Sequence, residues 1–281
     1  MPPLLAINIP TYERLASFSE ILLSLEAEIN DIGIFAKDLV QINVFENDSS
    51  DALDKFTLCR KIKERSALDL NFFKNNSNIG ADLNILQACT ANKEAKFTWV
   101  LGDDDHLIHG CLKKIMDVLL DDSINLGLLI LRDLTYKVHP ALMTSAITSY
   151  LHLAYFALQN QPHFLIAHTL ISVNIFKTSE FDEQEAKYVI DRLNPRIGLR
   201  ANFSHMRGMI NGLLHSNGEH AVIVSNFVSL DTGRRLKGEI DLSSEIIRIY
   251  YFYYLWLLSE LGVRPEQILN DGSIDWLFSP Y

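Results

Sequence analysis

Apolar runs of strand length alternate with stretches of helical periodicity through the first half of this 281-residue chain. Strands are predicted at about 4–9, 41–45, 68–73, 97–101 and 126–131, and helical periodicity follows each of them. Consecutive strands joined through helices form parallel sheets with helices packed against them. The sequence therefore predicts an α/β fold with a mostly parallel sheet and helices on both faces.

Three polar clusters fall where predicted strands end, at residues 10–13, 46–51 and 102–105. In open parallel sheets the ligand lies at the carboxyl ends of the strands, because the loops that leave those ends converge there. We therefore expect these clusters to form one binding site. Thr11 is also expected to cap the helix that follows the first strand.

Composition excludes several classes of protein. The 25 basic and 35 acidic residues give a net charge of −10, which argues against a nucleic-acid binder because phosphate neutralisation requires a basic surface. The three cysteines show no CxxC spacing and are expected to be reduced. The N-terminus lacks a signal-peptide pattern and no apolar window is long enough for a membrane helix, so the expected location is the cytoplasm.

Three consecutive aspartates, Asp103, Asp104 and Asp105, follow the fourth predicted strand. Adjacent carboxylates repel one another and raise one another's pKa unless a cation lies among them. Carboxylate oxygens suit Mg²⁺ or Mn²⁺, which combine them with substrate phosphates. One interpretation is therefore a metal that bridges a diphosphate, and the alternative is a solvated acidic turn at a helix N-terminus.

Several other kinds of site are disfavoured by the sequence. His106 and His109 lie beside the aspartates, but zinc would need more ligands, and there is neither an HExxH motif nor a cysteine partner. The sequence also lacks a GxSxG elbow, a P-loop and a GxGxxG loop. These absences disfavour hydrolases, kinases and dehydrogenases.

Four motifs, in this order, resemble the donor half of the GT-A glycosyltransferases: IPTYER (9–14), ENDSSD (46–51), NIGADLN (78–84) and FTWVLGDDD (97–105). More narrowly, they resemble the bacterial family-two enzymes that build surface polysaccharides and lipopolysaccharide. The resemblance covers about residues 4–135. It implies a GT-A, Rossmann-like fold, a UDP-sugar as the nucleotide-sugar donor, and a divalent Mn²⁺ or Mg²⁺. It also implies inverting single displacement onto a glycan or lipid-linked glycan acceptor.

The resemblance implies roles for individual residues as well. The positions implied to contact the nucleotide-sugar are Pro10, Thr11, Glu13, Glu46, Asn78, Gly80, Asp103 and Asp104. Among these, Glu46 stands where the family usually has an aspartate that reads the base. The implied metal ligand is Asp104, with Asp103 and Asp105 as near equivalents. The family more often has an aspartate at the position of Gly102.

The general base is expected in the second half of the chain. In the family it is normally an aspartate at the start of a helix on the acceptor side. The matching residues, 203–205, include no carboxylate, and His205 is the candidate because imidazole titrates near neutral pH. A capping or surface histidine is the alternative. Other candidates, on what is otherwise an ordinary solvated helix face, are Asp182, Glu183, Glu185 and Asp191.

The chain is expected to divide into a donor-binding half (1–133), an acceptor-binding half (134–235) and a C-terminal helical extension (236–281). The extension contains a helix candidate of high aromatic density, residues 246–258. This helix has three interpretations: packing on the body, an interface between copies in a homo-oligomer, or peripheral contact with a membrane, where Tyr and Trp favour the headgroup region.

Two other functions stay open at this point. A catalytically silent GT-A-like module would bind a nucleotide or glycan without transferring sugar, which the missing carboxylate base allows. A sugar-phosphate nucleotidyltransferase also uses a metal and a parallel sheet. It is disfavoured because no Gly-rich, basic triphosphate-binding segment follows the first predicted strand.

Overall fold

The structure is a computed structural model that describes residues 2–134, 150, 153, 171–197, 204–215, 220–231 and 259. Its strands are β1 (Leu5–Thr11), β2 (Val40–Glu46), β3 (Asp69–Lys74), β4 (Phe97–Val100), β5 (His106–Leu107), β6 (Leu126–Asp133), β7 (Asn174–Lys177) and β8 (Ala221–Asp231). Its helices are α1 (Leu15–Ile32), α2 (Ile34–Leu39), α3 (Ala52–Ser66), α4 (Ala81–Thr90), α5 (Cys111–Leu119), α6 (Glu183–Ile197) and α7 (Ser204–His215).

Within the described residues, the strands form one sheet in the order β3-β2-β1-β4-β7-β6-β8-β5. The four strands β1 to β4 are parallel, with Thr11 opposite Glu46 and Glu46 opposite Lys74. β6 and β8 are also parallel to each other. The predicted α/β fold with a mostly parallel sheet is therefore confirmed.

The sheet departs from a purely parallel arrangement at β7, which lies between β4 and β6 and runs antiparallel to both. The two-residue strand β5 is antiparallel to β8. An antiparallel neighbour needs no helical crossover, so the alternation of strands and helices carries no information about it. β7 and β8 come from the predicted acceptor-binding half, yet they share one sheet with β1 to β4. The functional division at residue 133 stays a prediction.

One face of the sheet is apolar and packs against α1, α3 and α5. Phe18 and Leu22 of α1 and Ile115 of α5 are fully buried in one core with Ile7 and Ile9 of β1. Because side chains alternate between the two faces of a strand, the residues between these isoleucines point the other way. That second face is covered by α4, against which α6 and α7 pack. Helices thus cover both faces, as predicted.

The face beneath α4 carries a row of amide side chains across three strands, which we call the asparagine row. Asn8, Asn43 and Asn71 occupy matching positions on β1, β2 and β3. Asn43 Nδ2 donates to Asn8 Oδ1 at 2.8 Å, and Asn71 Nδ2 donates to Asn43 Oδ1 at 3.2 Å. Asn8 Nδ2 donates to the carbonyl of Ala88 in α4 at 2.5 Å. The row therefore supplies the bonds that buried amides require and ties the sheet to α4.

The turn between β1 and α1 has an unusual backbone. Thr11 is the last residue of β1, and α1 begins only at Leu15, after Arg14, so the prediction that Thr11 caps this helix is wrong. Glu13 and Arg14 both adopt left-handed conformations, with φ of 56° and 62°. Such a conformation costs a non-glycine residue about 1–3 kcal/mol, so contacts in the folded protein must hold this turn.

The C-terminal extension, residues 236–281, lies outside the described residues apart from Ser259. The three interpretations of the aromatic helix at 246–258 therefore stay predictions. Among the residues that the structure describes, no helix combines the length and the apolar character needed to cross a bilayer.

Candidate functional site

The carboxyl ends of β1, β2 and β4 form one edge of the sheet, and the polar clusters meet there. The hydroxyl of Thr11 donates to Asp103 Oδ2 at 2.7 Å, which joins the end of β1 to the loop after β4. The backbone N–H of Asn47 donates to the carbonyl of Thr11 at 3.0 Å, which joins the loop after β2. Segments distant in sequence thus lie together as expected, whereas their functional roles stay predictions.

The three aspartates after β4 have three different surroundings. Asp103 is only 6% exposed. Burial raises the pKa of Asp103 to about 6, the hydrogen bond from Thr11 opposes this rise, and the negative charge of Asp104 adds to it. The expected repulsion between neighbouring carboxylates is therefore present, but burial is the larger cause of the shift.

Asp104 forms an ion pair with Arg14. Arg14 Nη1 lies 2.7 Å from Asp104 Oδ2 and 3.5 Å from Asp103 Oδ1. The Asp104 side chain is 16% exposed and the Arg14 side chain is 41% exposed. Arg14 lies within the IPTYER motif, yet its role was not predicted from the sequence. The left-handed turn that directs its side chain toward the aspartates cannot be recognised from the spacing of residues.

Asp105 folds back onto the start of its own loop. Its Oδ2 accepts the backbone N–H of Gly102 at 3.0 Å, and the residue is buried. A Cβ at position 102 would lie 2.6 Å from that same oxygen, so a larger residue requires Asp105 to move. The aspartate that the resemblance leads one to expect at this position is thus replaced by a glycine that accommodates Asp105.

Among the described residues, no group of three or more His, Cys, Asp or Glu side chains is arranged to hold a metal ion. Such a cage is not required, because Mg²⁺ is usually bound through one or two carboxylates plus substrate phosphates. Asp104, partly exposed at the sheet edge, fits this requirement together with its neighbour Asp103. Asp105 is buried and turned toward the backbone, so its ligand role stays a prediction.

The acidic loop after β2 is built around a buried lysine. Lys55 of α3 is fully buried, and its Nζ lies 2.9 Å from Asp51 Oδ1 and 3.9 Å from Glu46 Oε1. Glu46 is also fully buried and accepts the backbone N–H groups of Asp48 and Ser49 at 2.9 and 2.8 Å. Glu46 thus stabilises the conformation of the loop from a buried position. Its expected role in recognising a base stays a prediction.

Lys55 also affects the charge state of Asp51. Burial alone would raise the pKa of Asp51, but hydrogen bonds from Ser49 and Lys55 outweigh it, so this pKa lies below its ordinary value. Sequence reasoning missed Lys55, because a lysine four residues after an aspartate usually marks an exposed pair on a helix surface. Its burial follows from tertiary packing, since Nζ also lies 5.8 Å from the centre of the Phe18 ring in α1.

The loop after β2 docks on the turn after β1. The Ser50 hydroxyl donates to Glu13 Oε2 at 3.0 Å, and the Ser50 backbone N–H donates to Glu13 Oε1 at 3.3 Å. The backbone of Leu15, the first residue of α1, also helps to lower the pKa of Asp51. These contacts bracket the two left-handed residues and help to hold Arg14 in place.

A second group of asparagines shapes the loop before α4. Asn47 Nδ2 donates to Asn78 Oδ1 at 2.8 Å, and Asn47 Oδ1 accepts the backbone N–H of Ile79 at 3.0 Å. Gly80 donates its N–H to Asn78 Oδ1 at 2.9 Å and has a φ of 86°, which favours glycine. Asn78 and Gly80 are exposed, and Pro10 is half-buried near the end of β1. Asn78 and Gly80, which are expected to flank the nucleotide, thus belong to one loop that is bonded to Asn47.

The two leading candidates for the general base lie on α6 and α7. His205, in the first turn of α7, is only 2% exposed, whereas Asp191 is exposed on α6. Burial of His205 is the arrangement expected of a side chain that packs α7, and it does not match the surface histidine of the sequence alternative. A role as general base stays a prediction for both residues.

The other candidate bases take part in contacts of these helices. Glu185 Oε2 pairs with Arg207 of α7 at 2.7 Å. Asp182 Oδ2 accepts a hydrogen bond from Asn211 Nδ2 at 2.9 Å. Glu183 begins α6. The first two carboxylates therefore help to join α6 to α7.

No protein-family model matches the chain, and no curated protein matches it in sequence. Among solved structures, the chain is similar to TarS 1–349 of S. aureus in complex with UDP, with a TM-score of 0.55, 15% identity and coverage of 95% of this chain and 73% of that one. A second structure of TarS 1–349 gives a TM-score of 0.53 at 16% identity with the same coverage. TarS 1–349 in complex with UDP-GlcNAc gives 0.50 at 16% identity over 81% of this chain.

The chain spans 57% of the length of TarS in the UDP-GlcNAc complex and 36% of a longer TarS chain. At this identity the likeness concerns the fold. The sheet and its helices have the GT-A, Rossmann-like arrangement that the sequence motifs predict, so the fold expectation is confirmed.

Proposed function

We propose that this chain is a metal-dependent, inverting glycosyltransferase that moves a sugar from a UDP-sugar to a glycan or lipid-linked glycan acceptor. The observation that carries the proposal is the meeting of Thr11, Asp103 and the loop after β2 at one edge of a GT-A sheet. Open α/β sheets bind their ligands at this edge. The likeness of the fold to TarS 1–349 in complex with UDP supports a uridine nucleotide.

The donor side of the proposed mechanism depends on two carboxylates. Asp104, with Asp103 beside it, would hold Mn²⁺ or Mg²⁺. When bound there, the divalent cation supplies positive charge that offsets the departing diphosphate. Thr11 keeps Asp103 oriented through their 2.7 Å hydrogen bond. The proposed nucleoside pocket consists of Pro10, Glu13, Glu46, Asn78 and Gly80.

The acceptor hydroxyl must lose its proton as it attacks the anomeric carbon. We assign this proton transfer to Asp191 or His205. Asp191 is exposed on α6 and is therefore open to an acceptor. His205 is the candidate in the position that the resemblance indicates, at the start of α7, and would have to become accessible for this role.

A second candidate function is a catalytically silent module that binds a nucleotide-sugar or a glycan. The burial of His205 favours this candidate, because a base must come within hydrogen-bond reach of the proton that it removes. A silent module that binds a nucleotide-sugar would use the same donor site as the transferase and would differ only in that no sugar is transferred.

The setting of the reaction is proposed from the sequence resemblance alone. It is bacterial surface polysaccharide or lipopolysaccharide synthesis, in the cytoplasm at the inner face of the membrane. In this proposal residues 1–133 bind the donor and residues 134–235 bind the acceptor. Residues 246–258 would pack on the body of the protein, contact the membrane or contact a second copy of the chain.

The decisive experiment measures binding and turnover on the same protein. Thermal unfolding with UDP and Mn²⁺ should show stabilisation of about 2.7 kcal/mol at a hundredfold excess over Kd, and EDTA should remove it. A panel of UDP- and GDP-sugars is then screened for Mn²⁺-dependent release of the nucleotide. Slow hydrolysis of one donor supports the transferase, and binding without hydrolysis or transfer supports the silent module. Failure to bind any nucleotide would overturn the transferase and the nucleotide-binding form of the silent module.

A further inference from the structure

The guanidinium of Arg14 lies beside the two aspartates that would hold the divalent metal ion of the proposed site. Its Nη1 is 2.7 Å from Asp104 Oδ2 and 3.5 Å from Asp103 Oδ1, so one guanidinium partly neutralises two carboxylates. The Arg14 side chain is 41% exposed. Lys55, a second cation near these loops, is fully buried and bonded to Asp51 at 2.9 Å. Of these two cations, Arg14 is the one that can leave its partner without disturbing the core.

The backbone of Arg14 is held in place, whereas its long side chain can rotate. Arg14 adopts a left-handed conformation with φ of 62°, and α1 begins at the next residue. The preceding Glu13 is held by Ser50 through two hydrogen bonds. The guanidinium can therefore change partners by rotation of side-chain bonds, with no change in the turn that presents it to Asp104.

A guanidinium and a metal ion compete for Asp104. Magnesium-type ions bind carboxylate oxygens at about 2.0–2.1 Å, and a second cation at hydrogen-bond distance from the same oxygen repels them. A metal ion alone must therefore displace Arg14 from its partner. A diphosphate changes this balance, because guanidinium groups bind phosphate oxygens in a bidentate manner.

We propose that Arg14 is a resident counter-ion of Asp104 that gives way to a divalent metal when a nucleoside diphosphate offers the guanidinium a new partner. The inference rests on the proposed function and deepens it. Its consequence is that metal and nucleotide bind cooperatively, each raising the affinity for the other by the same factor. Metal alone binds weakly, because Arg14 opposes it.

Isothermal titration calorimetry of the full chain tests this exchange. Mn²⁺ is titrated into wild-type protein and into Arg14→Met, with and without saturating UDP. We expect UDP to raise the Mn²⁺ affinity of the wild type by at least about tenfold. Arg14→Met should bind Mn²⁺ alone about tenfold more tightly than the wild type, and UDP should enhance that affinity far less.

The matched control is Arg60→Met. Arg60 Nε lies 3.8 Å from Glu64 Oε1, and both side chains are exposed. This variant removes the same charge away from the site, so it should leave both Mn²⁺ affinities within about twofold of the wild type. Arg14→Lys is the second test variant: it keeps the charge but not the bidentate geometry, so weak binding of metal alone should persist while the UDP enhancement falls.

The proposal is overturned if Arg14→Met binds Mn²⁺ alone no more tightly than the wild type, or if UDP enhances both to the same extent. Circular dichroism and thermal unfolding establish that each variant is folded, and Arg14→Lys decides the question if Arg14→Met is not. If UDP fails to bind the wild type, the proposed function fails by itself. The titrations with Mn²⁺ alone still separate the wild type from Arg14→Met, and equal affinities of these two proteins overturn the role of Arg14 independently.

Discussion

Two acidic loops meet at the edge of the sheet, and they neutralise their charges in opposite ways. In the loop after β2, Lys55 is fully buried and bonded to Asp51 at 2.9 Å. In the loop after β4, the partner of Asp104 is Arg14, with 41% of its side chain exposed. In each loop a carboxylate is thus paired with a nearby cation, but of Lys55 and Arg14 only Arg14 is in contact with solvent.

Burial decides what each cation can do. A buried ion pair cannot open without leaving a desolvated charge, so Lys55 is a permanent part of the loop after β2. Exposed pairs contribute only about 0–1 kcal/mol, so Arg14 is replaceable. The carboxylates differ accordingly: the pKa of Asp51 is lowered, whereas that of the buried Asp103 is raised. The loop after β2 is stabilised by its own cation. The loop after β4 carries carboxylates whose negative charge is unfavourable there, and a bound cation can stabilise them.

The largest expected effect comes from removing the buried cation. Lys55→Met should lower the free energy of unfolding by about 3–5 kcal/mol, because it leaves the fully buried Glu46 and the half-buried Asp51 without their shared cation. Urea unfolding at neutral pH measures the change. Lys113→Met is the matched control, since its Nζ also lies 2.9 Å from an aspartate at i+4, Asp117, but both side chains are exposed. The control should lose less than about 0.5 kcal/mol, and equal losses would remove the distinction between the loops.

The next effect should have opposite signs in the two loops. Asp103→Asn is expected to raise the free energy of unfolding above about pH 6, because it removes a buried charge whose pKa rises from 3.8 to about 6 on folding. Each pKa unit corresponds to about 1.4 kcal/mol, so the gain is at most about 3 kcal/mol. Asp51→Asn is expected to destabilise at neutral pH, because the lowered pKa of Asp51 means that folding favours its charged form.

The pH profile of the metal-free protein checks the sign of the Asp103 effect. Between about pH 4 and pH 6 folded Asp103 keeps a proton that the unfolded chain has released, so its contribution to stability is lost as the pH rises through this window. Asp103→Asn should abolish that component of the profile. Unfolding in EDTA at a series of pH values measures it, and a variant with the same slope as the wild type would contradict the raised pKa.

The third prediction concerns ligand binding rather than folding. Asp104→Asn should weaken Mn²⁺-dependent UDP binding by at least about 100-fold, because it removes the proposed metal ligand. Asp48→Asn removes a carboxylate of the other loop, paired with Lys74 at 3.0 Å and 39% exposed. It should leave the affinity within about twofold, and asparagine tolerates the φ of 61° at this position. Equal affinities for the two variants, measured by calorimetry, would place the metal elsewhere.

The broad arrangement of the site could be predicted because it follows from strand ends. The apolar run 97–101 locates the end of a buried strand, and the aspartates come directly after it. The same logic places Thr11 and Glu46 at one edge, and the structure pairs these two residues across β1 and β2. Parallel strands bring their carboxyl ends together whatever the details of packing.

The charge partners could not be predicted, because they depend on packing and on backbone conformation. In the sequence, Asp51 and Lys55 have the i,i+4 spacing that is typical of an exposed pair on a helix. In the structure, α1 covers Lys55. Arg14 reaches Asp104 through two consecutive left-handed residues, for which the sequence contains no glycine signal. The antiparallel strand β5, of two residues, is too short to show a period of its own. Local pattern thus fixes which loops meet but not which side chains pair within them.

The asparagine row has a consequence for how accurately the ligand edge can form. If β2 slipped by one residue against β1, Asn8 would face aliphatic neighbours and the buried amides would lose their partners. The amides therefore destabilise any pairing of these strands in a different register. A slip would also shift the end of β2 by about 3.3 Å, enough to separate Asn47 from Thr11. The buried amides thus fix the positions of the loops at the carboxyl edge, although they lie in the interior of the protein.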